Sequence, residues 1–182
     1  MEGFQKSKYD HTLFIKYTAK GMVIVSLYVD DLIYTGNNED MCDEFRNSMM
    51  LEFEMTNLGR MKYFLGVEVL QSDEGIRMGQ MKYAIEILER FNMWDSNGVK
   101  NPIVPGSTVT KTGDKTKVDE TMYKSLVGSL MYLTVTRPDL MYAVCYISRF
   151  MADPRDEHLQ LAKRILRYVK STYGYGHGIV AE

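Results

Sequence analysis

From Thr12 to Tyr17 the chain mixes apolar and polar positions, breaks at Thr18-Ala19-Lys20-Gly21, and then runs almost wholly apolar from Met22 to Val29. This pattern predicts two strands joined by a turn, the second buried on both faces. Asp30-Asp31 interrupts the apolar run, Leu32-Ile33-Tyr34-Thr35 resumes it, and Gly36-Asn37-Asn38 ends it. The simplest topology is a three-strand antiparallel meander with both aspartates at the tip of its second hairpin.

Beyond the meander the period changes. Asn38 is suited to cap a helix, Glu39 and Asp40 match the positive end of its dipole, and Met41, Phe45 and Met49 form an inward stripe. Tyr63 to Leu70, the turn Ser72-Asp73-Glu74-Gly75 and Ile76-Arg77-Met78 predict a second hairpin, with Gly66 marking a bulge or a close backbone approach. Met81, Ala84, Ile85, Leu88 and Phe91 recur at helical spacing, predicting a helix of about three turns. Residues 97–119 are rich in Gly, Pro, Ser, Thr and Lys without a period and read as a linker or long surface loop. Three helices are predicted after it, Glu120 to Val135, Leu140 to Met151 and Arg155 to Lys170, with Pro138 and Pro154 near helix starts. Past the glycine-rich stretch from Tyr173 to Gly178, Ile179-Val180-Ala181 predicts the start of another strand. The fold class that results is α+β.

Composition narrows the function. Of 182 residues 45% are hydrophobic and 25% charged, the profile of a folded globular protein. No apolar run approaches the ~20 residues that span a bilayer and the first residues carry no signal pattern, so the expectation is an intracellular protein, cytoplasmic or nuclear, not secreted and without a membrane partner. Cys42 and Cys145 are too few for a disulfide framework, and His11, His158 and His177 are scattered, without zinc-ligand spacing. A formal net charge of −2 means that any nucleic-acid role must rest on local patches.

The chemistry concentrates at Tyr28-Val29-Asp30-Asp31. A two-residue turn prefers Asn-Gly or Asp-Gly, and neighbouring carboxylates repel, so turn-making alone does not select this pair. A divalent cation would resolve the repulsion, since magnesium takes one or two carboxylates together with phosphates and water. A bare Asp-Asp after an apolar run is still, by itself, read most simply as a solvated turn.

Context changes the weighting. Tyr28-Val29-Asp30-Asp31, followed by an apolar strand and a glycine, resembles the palm signature of reverse transcriptases of copia-like retrotransposons. The resemblance extends to Gly3-Phe4, Ser7, Asp10 and Leu13-Phe14 upstream, and to Met55-Thr56-Asn57-Leu58-Gly59 and Tyr63-Phe64-Leu65-Gly66-Val67-Glu68-Val69 downstream. It continues through Tyr123 to Thr134, Thr136-Arg137-Pro138-Asp139 and Lys163 to Lys170, in the family's order.

The resemblance implies that Asp30 is a ligand of the catalytic magnesium (or manganese) ions, that Asp31 is a second carboxylate beside it, and that Tyr28 and Val29 lie under the primer terminus. It implies a partial palm with a primer-grip-like hairpin over 1–78 that includes Tyr63, Phe64, Leu65 and Gly66. A thumb-like helix over 79–96, the 97–119 linker and a helical thumb and connection region over 120–182 follow, the last cut before a ribonuclease H domain. The expected partner is an RNA or DNA template-primer. The family's further metal-binding aspartate and its fingers belong to a region ahead of these motifs, so the chain is expected to be inactive alone. Two other roles stay open: a non-catalytic nucleic-acid binder, or a chain that complements a separate N-terminal polymerase half. Lys163, Arg164, Arg167 and Lys170 fit phosphate contacts and fit equally the solvated face of an amphipathic helix. Arg137-Pro138-Asp139 fits a functional contact, and more plainly an inter-helix turn with a fixed arginine.

Overall fold

A computed structural model describes residues 3–104, 106 and 116–180, so most of the segment read as a linker, and Ala181 of the last expected strand, lie outside the described residues. The architecture is α+β, with two antiparallel four-stranded sheets and five α-helices among the described residues. The chain divides into two compact units, Met1–Met61 and Lys62–Glu182.

In the first unit β1 (Gln5–Lys6), β2 (Leu13–Thr18), β3 (Gly21–Tyr28) and β4 (Asp31–Gly36) lie side by side in chain order. The expected meander is therefore present, extended at one edge by a two-residue strand too short to show a period. Helix α1 (Glu39–Glu52) follows directly, and the Asn38 side chain caps it by accepting from the Met41 amide at 3.0 Å. Val23 and Val25 are buried together with Met41 and Phe45, whose ring meets Phe4 and Tyr34 at centroid distances of 5.4 and 5.3 Å.

The expectation that β3 is buried on both faces needs correction. Val23 and Val25 are buried, whereas Met22, Ile24 and Ser26 on the opposite face are only partly so. Strand residues alternate between faces, and the buried core groups with the α1 side only. The opposite face, where Ile15 pairs with Ile24, is half-exposed.

In the second unit β5 (Tyr63–Phe64), β6 (Val67–Ser72), β7 (Gly75–Gly79) and β8 (Gly176–Val180) form one antiparallel sheet in that order. The stretch read as one strand from Tyr63 to Leu70 is itself a hairpin. Phe64 pairs with Val67, and the two residues between them, Leu65 and Gly66, hold φ of 47° and 78°. Positive φ at both central positions marks a type I′ turn rather than a bulge. The expected close approach at Gly66 is real, because a Cβ there would collide with the Tyr132 hydroxyl. Strand β8 begins at Gly176, earlier than its first apolar residue, because glycines carry no periodic signal.

Helices α2 (Met81–Arg90), α3 (Glu120–Leu133), α4 (Met141–Ser148, entered through a 3-10 turn over Pro138–Leu140) and α5 (Asp156–Thr172) enclose the larger core. Ile87 is buried in α2 where the spacing pointed to Ile85 and Met81; Ile85 is half-buried and Met81 exposed. Gln80 precedes α2 but does not cap it, because its Oε1 accepts from Thr136 Oγ1 at 2.9 Å. Glu68 of β6 substitutes, accepting from the Lys82 amide at 2.8 Å and placing a carboxylate at the positive end of the helix.

Arg137 is 2% exposed. It grips Asp139 through two nitrogens, at 2.9 and 2.7 Å, donates to the Thr172 carbonyl and hydroxyl at 2.8 Å each, and lies between the Tyr168 and Tyr175 rings. That geometry ties the α3–α4 connection to the end of α5, so Arg137-Pro138-Asp139 is the fixed inter-helix turn. His158 is also buried, its Nδ1 accepting from the Arg155 amide at 2.9 Å and its ring stacked on Phe150.

Candidate active-site hairpin

Tyr28 pairs with Asp31 across the β3–β4 hairpin, leaving Val29 and Asp30 as the two central turn residues. Both aspartates therefore stand at the apex, as the interrupted apolar run predicts, with Asp31 opening β4 and Asp30 on the bend itself. Both are exposed, and neither carboxylate has an ion-pair or hydrogen-bond partner among the described residues. Exposed side-by-side carboxylates repel by only about 1 kcal/mol in water, so the pair stands without a partner and leaves its oxygens open to a cation.

The backbone adds a second anomaly. Val29 holds φ at 53°, a region that a β-branched residue rarely occupies, and it is 87% exposed, so burial does not force the conformation. Strain of this kind, about 1–3 kcal/mol, clusters at working sites. Tyr28, at 51% exposed, presents its ring beside the same apex.

The carboxylates fit a magnesium ion in kind, since one or two carboxylates plus phosphate oxygens and water are its usual set. Among the described residues no group of three acidic, histidine or cysteine side chains gathers around a common point. Cys42 is not a rival centre, because burial raises its thiol above the ordinary value and neighbouring Asp43 and Glu39 push in the same direction.

The other expected contacts are scattered. Tyr63 is 56% and Leu65 41% exposed on the β5–β6 hairpin, and the Lys82 ammonium lies 5.9 Å from the Tyr63 ring. On α5 the four basic residues differ. Lys163 is exposed, Arg164 donates to Asn101, Arg167 is half-buried, and Lys170 sits 3.6 Å above the Trp94 ring. Sequence reasoning passed over Tyr132 and Glu68, which hold the β5–β6 hairpin. Both stand inside the blocks that carry the resemblance, yet nothing in their spacing shows a contact across 67 residues.

Residues 1–105 match the family model described as reverse transcriptase (RNA-dependent DNA polymerase). The chain belongs to the reverse transcriptase family. It is 36% identical over 174 residues to a retrovirus-related Pol polyprotein from transposon RE1 of Arabidopsis thaliana, covering 96% of this chain and 12% of that protein. It is 33% identical to the RE2 polyprotein of the same plant over 96% of this chain and 12% of that protein, and 34% identical to the TNT 1-94 polyprotein of Nicotiana tabacum over 88% and 13%. The relatives are copia-like, in agreement with the resemblance read from the motifs, and the chain spans about an eighth of their length. No solved structure matches. No helix among the described residues is long and apolar enough to cross a membrane.

Proposed function

We propose that this chain is the portion of a retrotransposon RNA-directed DNA polymerase that carries the Asp30-Asp31 carboxylates, and that it does not polymerise alone. The observation that carries this reading is the pair of unpartnered carboxylates at the apex of a strained hairpin in a chain of this family. Asp30 and Asp31 would hold magnesium or manganese, Tyr28 and Val29 would support the primer end, and an RNA or DNA template-primer would be the substrate. When bound, such ions activate the attacking hydroxyl and steady the leaving oxygen. In this reading the β3–β4 hairpin belongs to the palm, the β5–β6–β7 hairpins form a primer grip, α2 opens a thumb, and α3 to α5 lead through a connection.

Two aspartates on one hairpin fall short of the ligand set that two-metal transfer needs. Strand β4 forms an outer edge of its sheet, beside the apex, and its unpaired backbone groups suit the addition of another strand. This edge favours complementation by a separate polymerase segment. Primer extension on an RNA template with magnesium tests both points. No incorporation is expected from the chain alone, and incorporation should appear when the segment preceding the matching region of a relative is added. Incorporation by the purified chain overturns the claim of inactivity; persistent silence with the added segment overturns complementation.

A further inference from the structure

We infer that Tyr132 is a positioning residue that fixes the tip of the β5–β6 hairpin, and with it the surface offered to nucleic acid; the second half of this inference rests on the polymerase reading above. Leu65 occupies a left-handed position that leucine disfavours, in a turn type that prefers Asn-Gly. Its side chain is 41% exposed, so packing does not account for its conformation. What holds it is Tyr132 on α3, whose hydroxyl donates to the Leu65 carbonyl while Gly66 lies against the same phenol, with no room for a Cβ.

Tyr132 is itself braced. The Tyr83 ring meets it edge-on at 4.8 Å, and the Tyr83 hydroxyl donates to the Ser129 carbonyl one turn earlier on α3, at 3.2 Å. The stem is held separately through Glu68 and the Lys82 amide. Helices α2 and α3 thus clamp a short hairpin at two points, and Tyr63 and Leu65 are left facing outward. Strand β6 is held on its other side by β7, but β5 is two residues long and pairs with β6 alone, so the tip geometry leans on these helix contacts.

The test is amide hydrogen exchange on the 182-residue chain combined with anisotropy of a labelled RNA–DNA hybrid. Tyr132→Phe keeps the ring and its Tyr83 contact but removes the donor. It should lower the thermal midpoint by only about 2–4 °C, speed exchange at Val67 by about fivefold, the loss of one hydrogen bond, and weaken hybrid binding about threefold. Leu65→Asn placed on Tyr132→Phe should restore the exchange rate, because Asn-Gly adopts this turn unaided; a general packing role for Tyr132 would not be rescued by changing a turn residue, and binding is read on Tyr132→Phe alone because Leu65 is itself part of the offered surface. Unchanged exchange in Tyr132→Phe, or exchange that Leu65→Asn leaves unrepaired, overturns the inference. Faster exchange with unchanged hybrid binding overturns the positioning role. A wild-type chain that ignores the hybrid removes the nucleic-acid half together with the binding claim, and the exchange result then decides the structural half alone.

Discussion

Val29 illustrates a residue chosen against its local conformation. At φ 53° and 87% exposed, it gains little from burial and bears the cost of the left-handed region. Asparagine tolerates that region, so Val29→Asn should stabilise the chain by about 1 kcal/mol, read as a higher urea midpoint. The same change should lower primer extension in the complemented enzyme if Val29 supports the primer end. Asp139 shows the opposite case, a charge placed for structure. Burial acts to raise its pKa, but the hydrogen bonds and charge of Arg137 outweigh it and hold the carboxyl below its ordinary value. A depressed folded pKa stabilises above the unfolded value and is lost as pH falls through the folded one. Asp139→Asn should therefore cost about 1–2 kcal/mol at pH 7, discounted because the Asp139 side chain is 37% exposed. The gap between mutant and wild type should close below about pH 4, as followed by urea titrations across pH.

Among the elements, the β3–β4 hairpin and α1 were legible because each rests on a local rule: an apolar run split by a polar pair, and a capping asparagine before an i, i+4 stripe. The β5–β6 hairpin was not. Gly66 permits a turn but fits a bulge equally, Leu65 carries no turn signal, and the Tyr132 contact that holds Leu65 lies far along the chain. Strand β8 was half legible, since Ile179 and Val180 announce a strand but Gly176 and Gly178 do not. The start of α2 likewise hides its cap on another element. Gln80 looks like a poor cap and is one, while Glu68 supplies the acceptor. Glu68→Ala should cost about 1 kcal/mol, and Glu68→Gln, which keeps an acceptor but loses the charge at the helix end, about half that. Thermal unfolding followed at 222 nm ranks the two; equal losses would mean that the charge, not the hydrogen bond, carries the effect.

Across the whole molecule, the candidate site and the bulk of the stabilising core belong to different units. The Met1–Met61 unit holds the Asp30-Asp31 apex on a core in which four hydrophobic residues are fully buried among those described. The Lys62–Glu182 unit buries eighteen by the same measure, from Val69 to Val169. Burying one large apolar side chain stabilises by about 1.5–3 kcal/mol, and the entropy of ordering ~60 residues is of the same order as all that a small core supplies. The first unit should therefore unfold at lower denaturant than the second. The single tryptophan, Trp94, lies in the second unit, between Lys170 and the Tyr173 ring, so its fluorescence reports that unit alone. Far-ultraviolet circular dichroism sees both. In urea, dichroism should begin to change before Trp94 fluorescence does, and Val25→Ala in the first unit should move only the earlier transition, by about 1–3 kcal/mol. Coincident curves, shifted together by Val25→Ala, would show a single cooperative unit. A strand added at the β4 edge should in turn raise the first transition selectively, because a partner that binds only the folded form stabilises that form by mass action.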